Sequence, residues 1–537
     1  MLTLAMPVIA VALACIALAA AAVPALRAAW FGVNRFQDDA FYYIVTAKHF
    51  VETGVFTFDG ATITNGFQPL WMAIVVVLLE VCGAPASQEN IVFAIVAAEK
   101  ICLAGAVACS VAFFVRSWRV DTPWRAGFLG ITLVLLCPLY VVFEQGMETT
   151  LAALAFVLVI QALVTRRPIP LGVAIAFLFL CRLDSGVFIG APIVVWILLQ
   201  HSWPLRTKAF AMLPFAVAIG SEMAVNLAAT GHAMPISGAI KSSFPLVTWH
   251  GGYLVEPFVV MNLYGLHTLA YTLNIVVVGS IAIVGFLVLP FARMASEDRE
   301  VCVLMGIVAL LLLANLLLFQ KWEKSLDPRY LALPMLAAAF FTATALDAAA
   351  RRFARQLVPV IALAVLAVEA GTWLARAPAT WEAKGDAVTH LLREVRAALP
   401  RDAVLAGTDV GALAFWTGRP VFNLDGVISN YALQDVIRDG KLGDYLRSRG
   451  VTHIATALWD REQDYTARPP EPMYRHQVDA AAQRGEPYAC HLYYVYSYVY
   501  YVYSDRICLR SANEVFRRNL GLDGVAQTSY VVYRLGR

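Results

Sequence analysis

The sequence predicts an α-helical polytopic membrane protein with a C-terminal soluble α/β domain. Hydrophobic residues make up 60% of the 537 positions and charged residues 15%, whereas about 25% of the residues in a soluble domain are charged. Long apolar runs recur through the first part of the chain, and from about residue 379 the composition becomes that of a soluble domain. We therefore expect a membrane domain over residues 1–378 and a soluble domain over residues 379–537.

Net charge and cysteine content exclude some classes of protein. The formal net charge of +3 is small and dispersed along the chain, so it predicts no nucleic-acid partner. Seven of the nine cysteines lie in apolar runs without metal-ligand spacing, where cysteine usually serves as a small buried residue. Cys490 and Cys508 lie in polar sequence, and both a disulfide and two free thiols remain open for them.

The first apolar run covers residues 4–24, and no positively charged residue precedes it, which favours a retained helix over a cleaved signal peptide. Ten further runs lie at about 89–115, 126–143, 149–164, 169–181, 187–200, 208–228, 267–290, 301–319, 329–347 and 357–375. Several are shorter than the ~20 residues that a full span requires. The sequence therefore predicts about eleven transmembrane helices, some of which extend into flanking polar sequence.

Residues 67–82 decide the topology, because counting them as a span reverses the side of every later loop. The run holds about fifteen apolar residues and begins near Pro69, which favours an interfacial helix over a full span. With that assignment, Arg and Lys accumulate in alternate short loops, which the positive-inside rule places in the cytoplasm. We expect a cytoplasmic N-terminus, a first outer loop over residues 31–88 and an extracytoplasmic C-terminal domain.

The first outer loop contains two adjacent carboxylates, Asp38 and Asp39, which open a short amphipathic helix at the edge of the membrane. An Asp pair in this position is also a common N-cap and a favourable charge at a helix start. The polar, Gly-rich and aromatic residues that follow favour a functional role. Both readings remain open for this pair.

Further charges flank the predicted spans on the outer side, where each charge at membrane depth costs roughly 2.5–3.5 kcal/mol. Besides the Asp pair they are Glu148, Arg182, Asp184, Lys241 and Arg329, which precedes Tyr330. Arg182 and Asp184 also fit a structural bridge, Lys241 a solvated loop charge, and Arg329 a snorkelling side chain. Taken together, cations that hold a phosphate and a carboxylate that removes a hydroxyl proton suit group transfer from an anionic lipid.

The C-terminal part alternates predicted helices with predicted strands, among them AVLAGTD and THIATAL, which indicates a small α/β layer. The dinucleotide fingerprint G-x-G-x-x-G is absent, which argues against a nucleotide site. The aromatic run at residues 493–504 is typical of a buried or edge strand, and an aromatic platform for sugar rings is the alternative.

Six short motifs carry a resemblance to a known family. They are D-D-A-F-Y-Y, T-N-G-F-Q-P-L-W, G-M-E-T, R-L-D, P-I-S-G-A-I-K and D-P-R-Y-L-A-L-P. Together they resemble the GT-C superfamily of integral-membrane glycosyltransferases, in the bacterial family 39 branch related to protein mannosyltransferases, the lipid A aminoarabinose transferase and the mycobacterial terminal arabinofuranosyltransferase. The resemblance covers the membrane part, about residues 1–375, and weakly the outer C-terminal domain.

This resemblance implies an inverting enzyme of the bacterial inner membrane that transfers a sugar from a polyprenyl-phosphate donor to an acceptor hydroxyl on the extracytoplasmic face. The acceptor is a glycan, a lipid or a protein. By the same resemblance Asp38 is the catalytic base, Asp39 its partner, and Glu148 an acidic residue of the second outer loop. Some members of the superfamily hold a divalent cation there, so Mg²⁺ or Mn²⁺ stays open.

Charge and predicted sidedness select the residues expected at the donor phosphate, which are Lys241, Arg329, Tyr330 and Arg182. The residues expected to line the substrate site are Tyr42, Tyr43, Asn65 and Trp71. For the aromatic members of the second set, core packing is an equally simple explanation.

Two other function classes remain. A transporter or flippase also carries charges beside its spans, and the pair Glu222 and Asn226 in the seventh predicted span favours it. The sequence shows no internal repeat of the kind common in transporters. In a non-catalytic scaffold, the carboxylates are incidental and the outer domain binds a partner.

Overall fold

The computed structural model describes a set of segments of the chain, which form two compact units by their internal contacts. The described residues are 36, 38–83, 87–116, 146–243, 246, 296–319, 330, 332–338, 340–341, 344, 379–439, 441–459, 490–494, 506–510, 514–519 and 528–535. In the first unit lie the described residues of 68–234 and 241–383. The second unit contains Asp38–Phe67, Pro235–Ile240 and the described residues from Lys384 onward. The predicted domain boundary between residues 378 and 379 stays a prediction.

The helices and strands are numbered in chain order. The helices are α1 Asp38–Thr53, α2 Pro69–Cys82, α3 Gln88–Arg116, α4 Thr149–Val164, α5 Pro168–Cys181, α6 Leu183–Leu199, α7 Leu205–Thr230, α8 Ile236–Lys241, α9 Ser296–Leu318, α10 Ala379–Ala398, α11 Gly411–Thr417, α12 Tyr431–Arg438 and α13 Leu442–Ser448. The strands are β1 Leu405–Gly407, β2 Val421–Asn423, β3 His453–Trp459, β4 Cys490–Tyr494, β5 Arg506–Arg510, β6 Glu514–Asn519 and β7 Thr528–Arg534.

Among the described residues, three helical stretches are long and apolar enough to cross a membrane: Gln88–Phe113, Leu205–Thr230 and Arg299–Leu318. Four shorter apolar helices, α2, α4, α5 and α6, have between 14 and 17 residues. The runs predicted at 4–24, 126–143, 267–290 and 357–375 lie outside the described residues. The count of about eleven spans therefore stays a prediction.

Helix α2 covers the segment on which the topology depends. It has 14 residues, and at 1.5 Å per residue it is about 21 Å long, shorter than the roughly 30 Å of a bilayer core. Pro69 lies in its first turn, where the missing N–H is harmless, and Gly83 ends it at φ 71°. The short helix is present as the sequence predicts, and its depth in the membrane stays a prediction.

The second unit is built on a five-stranded sheet with the order β2-β1-β3-β7-β6. Strands β2, β1 and β3 are parallel, and β7 and β6 continue the sheet in antiparallel pairing. The predicted strand AVLAGTD contains β1, and the predicted strand THIATAL covers β3 except for Trp459, in agreement with the predicted α/β layer. The core includes Leu424, Leu433, Ile454 and Tyr533, all at most 3% exposed.

Strands β4 and β5 form a separate antiparallel pair. Cys490 lies opposite Arg510, and Cys508 lies opposite Leu492. The two cysteines are therefore offset in register, and both a disulfide and two free thiols stay open for them. Most of the aromatic run at 493–504 lies outside the described residues, and its two described members end β4.

Helix α1 packs against α11 within the second unit. The ring centroid of Phe41 lies 5.2 Å from that of Phe415 and 6.4 Å from that of Trp416, and the ring of Tyr42 meets Phe58 edge-on at 5.1 Å. All residues from Ala40 to Ala47 are buried. The sequence predicts an amphipathic helix here, but residues 40–47 are buried on every face of α1, with Phe41 and Tyr42 in contact with the C-terminal segment.

Candidate active site

The residues expected at the site divide between the two units. The second unit contains Asp38, Asp39, Tyr42, Tyr43 and Asn65, and the first contains Trp71, Glu148, Arg182, Lys241 and Tyr330. Arg329 lies outside the described residues.

The carboxylate of Asp38 binds the first turn of α11. Its Oδ2 accepts the backbone N–H of Gly411 and its Oδ1 that of Ala412, both at 2.7 Å. A side chain on Gly411 would collide with the backbone carbonyl oxygen of Asp38, so only glycine permits this approach. Asp38 thus caps the N-terminus of a helix from a distant part of the chain and satisfies N–H groups that a helix start leaves free.

The environment of Asp38 raises the pKa of its carboxyl group from 3.8 to about 7. Desolvation by burial is the main cause; the hydrogen bonds from Ala412 and Gly411 oppose it, and the charges of Asp39 and Asp425 add to it. A carboxyl group with a pKa near 7 exchanges protons readily at neutral pH, which suits a general acid or base.

Tyr42 is 3% exposed and its hydroxyl is held by three partners. It donates to Oδ2 of Asp425 at 3.1 Å and accepts hydrogen bonds from Asn423 Nδ2 at 2.8 Å and the N–H of Val410 at 3.3 Å. Burial and the neighbouring carboxylates raise the pKa of the phenol well above its usual value. Tyr42 therefore joins α1 to the ends of β1 and β2. Its expected role in lining a substrate site stays a prediction, as does that of Tyr43, which is 6% exposed.

Two further carboxylates of the second unit, Asp409 and Asp425, were missed by the sequence analysis. Asp425 is 6% exposed; its Oδ1 accepts the N–H of Val427 at 3.0 Å, and its Oδ2 accepts Asn423 Nδ2 at 2.9 Å and the N–H of Asp409 at 3.3 Å. Burial raises the pKa of Asp425, and the charge of Asp39 adds to this. The signal was present in the sequence, because each Asp follows a strand of a parallel pair, and such strand ends meet at one edge of a sheet.

We call Asp38, Asp39, Asp409 and Asp425 the acidic junction. The first two come from the start of α1, and the others follow β1 and β2. All four lie close enough to Tyr42 to raise its pKa.

The motif T-N-G ties three segments of the second unit together. Asn65 is 6% exposed and its Oδ1 accepts the N–H of Ile236 at 3.0 Å, while Thr64 Oγ1 donates to the carbonyl oxygen of Ser429 at 2.9 Å. A side chain on Gly66 would collide with the carbonyl oxygen of Val427. Asn65 therefore has a structural partner, and its contact with substrate stays a prediction.

In the first unit, Glu148, Arg182 and Asp184 form what we call the charged cluster. Arg182 Nη1 lies 3.6 Å from Glu148 Oε1, and Arg182 Nε lies 3.4 Å from Asp184 Oδ1. The Cζ atom of Arg182 also lies 4.4 Å from the centre of the Tyr330 ring, a cation–π distance. The structural bridge between Arg182 and Asp184 is present, and a donor phosphate at Arg182 would compete with two carboxylates.

Helix α2 holds the turns on which this cluster lies. Trp71 is completely buried, and its Nε1 donates to the carbonyl oxygen of Gly146 at 3.2 Å. Gln68 Oε1 accepts the N–H of Leu183 at 2.9 Å. The predicted role of Trp71 in substrate contact stays a prediction, and so does phosphate binding by Lys241, the last residue of α8.

Glu99, which is not among the predicted site residues, is 1% exposed in the middle of α3. Its Oε1 accepts the N–H of Met147 at 3.0 Å, next to the charged cluster. An acidic residue inside an apolar run was itself a signal, because such a residue is costly to insert.

Within the described segments, no group of three or more His, Cys, Asp or Glu side chains is arranged to hold a metal ion. In the acidic junction, both oxygens of Asp38 and both of Asp425 already accept hydrogen bonds from the protein. The requirement for Mg²⁺ or Mn²⁺ stays open.

No protein-family model and no curated protein matches the sequence. Among solved structures, the chain is similar to the oligosaccharyltransferase AglB of Archaeoglobus fulgidus in complex with an inhibitory peptide and a dolichol-phosphate, at 11% identity and TM-score 0.44, over 78% of this chain and 65% of that one. The apo form of the A. fulgidus oligosaccharyltransferase aligns at 11% identity and TM-score 0.46, over 84% and 69%. Its complex with Zn and sulfate aligns at 12% and 0.41, over 78% and 63%.

The chain thus spans 65% and 63% of the length of two of these structures. At such identities and TM-scores, the likeness carries no information on the activity, substrate or partners of this chain.

Proposed function

We propose that this protein is an integral-membrane glycosyltransferase that moves a sugar from a polyprenyl-phosphate donor to an acceptor hydroxyl on the extracytoplasmic face. The observation that carries the proposal is the carboxyl group of Asp38, whose pKa of about 7 lies in the range of an efficient general base. A carboxylate offers about four lone-pair positions. The two N–H groups of α11 occupy two, which leaves acceptor capacity for a substrate hydroxyl.

In the proposed reaction, Asp38 accepts the proton of the acceptor hydroxyl while the oxygen of that hydroxyl attacks the anomeric carbon of the sugar. The bond between that carbon and the phosphate oxygen breaks, and the polyprenyl phosphate leaves with the bonding electrons. Negative charge from Asp39, Asp409 and Asp425 stabilises the oxocarbenium character of the transition state. Lys241 and Arg329 are assigned to the phosphate by their charge.

The set of chain segments that form the second unit supports the proposed extracytoplasmic location of the site. Direct hydrogen bonds link Asp38 to α11, Asn65 to α8, and Thr64 to the loop after β2. Segments bonded in this way lie on the same side of a membrane. The first outer loop, α8 and the C-terminal segment thus share one side, the one that the positive-inside rule assigns to the exterior.

Counting the crossings between these segments supports the interfacial assignment of α2. Six other spans are predicted between residues 67 and 235, and four between residues 241 and 384. An even number returns the chain to the same side, as the second unit requires. A crossing by α2 would make the first number odd. This parity supports eleven spans with an extracytoplasmic C-terminal domain.

The test is Asp38→Asn in purified full-length protein in lipid nanodiscs, with transfer measured from a panel of polyprenyl-phosphate sugars. Loss of the base lowers turnover by about 10²- to 10⁴-fold. Asn430→Ala is the matched control, because Asn430 Oδ1 accepts the N–H of Leu433 at 3.0 Å and caps α12. It removes a cap worth about 1 kcal/mol without removing the proposed base. If both variants lose stability and activity to the same degree, Asp38 is only a cap.

The transporter alternative depends on Glu222 and Asn226 of α7. Asn226 Nδ2 donates to Glu222 Oε1 at 2.9 Å within the same helix, and Asn226 is 3% exposed. Proteoliposomes loaded with a lipid-linked sugar test this alternative. Glu222→Gln slows translocation if the protein is a flippase and leaves sugar transfer unchanged if it is a glycosyltransferase.

A further inference from the structure

We propose that Glu99 is a positioning residue that orients Glu148 and, through it, the charged cluster. The contacts within the first unit alone support the claim that Glu99 fixes the turn at residues 146–147, before α4. The claim that this turn serves sugar transfer rests on the proposed function.

Glu99 is an ionisable residue buried within an apolar helix. It is 1% exposed in an apolar stretch of 26 residues, where an ionisable side chain is expensive and usually has a specific task. Its Oε1 accepts the N–H of Met147 at 3.0 Å. Its Oε2 has no hydrogen-bond partner in the described part of the chain. The hydrogen bond from Met147 directs attention to the turn before α4.

Glu99 and Trp71 hold the same peptide group from two helices. The carbonyl of Gly146 and the N–H of Met147 belong to one planar unit. Trp71 of α2 donates to the oxygen at 3.2 Å, and Glu99 of α3 accepts the hydrogen at 3.0 Å. With a hydrogen bond on each edge, this peptide plane cannot rotate without breaking one of the two bonds.

The next residue along the chain is Glu148. It is 3% exposed, its carbonyl oxygen accepts the N–H of Ala152 at 2.9 Å in the first turn of α4, and its carboxylate lies 3.6 Å from Arg182. Gly146 has φ 75°, a left-handed conformation that glycine adopts without strain. The turn at 146–147 therefore sets the direction in which the Glu148 side chain leaves the backbone.

Helix α2, which contributes Trp71, also holds the Arg182 side of the charged cluster. Gln68, the N-cap residue of α2, accepts the N–H of Leu183, the residue after Arg182. Helix α2 thus fixes the chain beside both partners of the ion pair. Glu99 adds the hold on the Glu148 side from α3.

If Glu99 acts by positioning, a variant needs only a side-chain oxygen at residue 99 that accepts the N–H of Met147, and it does not need the negative charge. Glu99→Gln retains a carbonyl oxygen that can accept the N–H of Met147. Glu99→Leu retains the approximate volume and removes the acceptor. Glu222, a half-buried acidic residue of α7 that bonds to Asn226, provides the matched controls Glu222→Gln and Glu222→Leu.

The first measurement is hydrogen–deuterium exchange of the peptide containing residues 146–149 in full-length protein in nanodiscs. We expect Glu99→Leu to speed exchange of the Met147 amide by about tenfold, and Glu99→Gln and both Glu222 variants to resemble the wild type. Unchanged exchange in Glu99→Leu overturns the proposal. If Glu99→Leu does not fold, Trp71→Phe removes the other bond to the same peptide and gives the corresponding increase.

The second measurement is sugar transfer. We expect Glu99→Leu to lower kcat/KM by about tenfold with an unchanged pH profile, and Glu99→Gln to restore it. Equal losses in both Glu99 variants mean that the charge matters, which overturns the positioning role. If the wild type transfers no sugar while the exchange result is as expected, the proposed function fails and the positioning of Glu148 stands.

Discussion

The acidic junction of the second unit and the charged cluster of the first unit hold their carboxylates by different means. In the junction, Asp38 and Asp425 accept backbone N–H groups. In the cluster, Glu148 and Asp184 lie beside the guanidinium of Arg182. Backbone N–H groups compensate a carboxylate without adding a full positive charge, whereas an arginine does add one. We therefore expect the junction to respond chiefly to pH and to the approach of the backbone, and the cluster to respond to loss of Arg182.

The largest effect is expected for Arg182→Met, which removes the guanidinium that lies beside Glu148 and Asp184. Breaking a buried ion pair on one side costs about 3–5 kcal/mol. We expect a corresponding decrease in the free energy of unfolding, measured by denaturant titration in mixed micelles.

The exposed pair formed by Arg447 and Asp444 at 2.7 Å is the control, because Arg447→Met removes a contact worth about 0–1 kcal/mol. A similar loss in both variants would mean that the cluster is solvated, and the contrast between the two regions would then disappear.

A medium effect is expected for Gly411→Ala. The added methyl group meets the backbone oxygen of Asp38 and the ring of Tyr42, and overpacking of this kind costs about 1–3 kcal/mol. We expect α1 to loosen from α11, which limited proteolysis within residues 38–67 detects.

Gly220→Ala serves as its control, because a side chain at Gly220 meets no neighbouring atom and the change favours helix. Unaltered protease resistance in Gly411→Ala would show that the junction tolerates a wider separation between the two helices.

The smallest effect, taken per pH unit, is a pH dependence of stability. The carboxyl group of Asp38 has a pKa of about 7 in the folded protein and an ordinary value of 3.8, so between these values the folded state binds more protons than the unfolded state. The free energy of unfolding therefore falls as pH rises from about 4 to about 7, by at most about 1.4 kcal/mol per pH unit for this group.

Asp38→Asn reduces that slope, and Asn430→Ala, which removes no ionisable group, leaves it unchanged. Unfolding curves at pH 5, 6, 7 and 8 measure both variants. An identical slope in Asp38→Asn and the wild type would assign the pH dependence to another group.

Sequence patterns predicted the local elements better than the contacts between them. The limits of α2, with Pro69 at its start, and the strands β1 and β3 follow from apolar runs and turn residues, which are properties of neighbouring positions. The partner of Asp38 is Gly411, 373 positions away, and no periodicity indicates it. The same holds for Tyr42 and Asp425, 383 positions apart.

In the candidate site, too, the sequence indicated single residues but not the contacts between distant parts of the chain. The Asp pair stood out because it opens a helix beside an apolar run, but its cap on α11 depends on the tertiary fold. Glu99 and Asp425 were visible as an acid in an apolar run and an acid after a strand. Each lacked a nearby motif that assigned it a role.

The distance along the chain between α1 and α11 has a consequence for biosynthesis. Residues 38–67 leave the ribosome long before residues 411–429, so Phe41 at first lacks the rings of Phe415 and Trp416, and the Tyr42 hydroxyl lacks its hydrogen-bond partners after β1 and β2. The second unit becomes complete only after the end of the polypeptide has reached the same compartment. A chain that stops before α11 therefore lacks the contacts that bury the side chain of Phe41 and bind the carboxylate of Asp38.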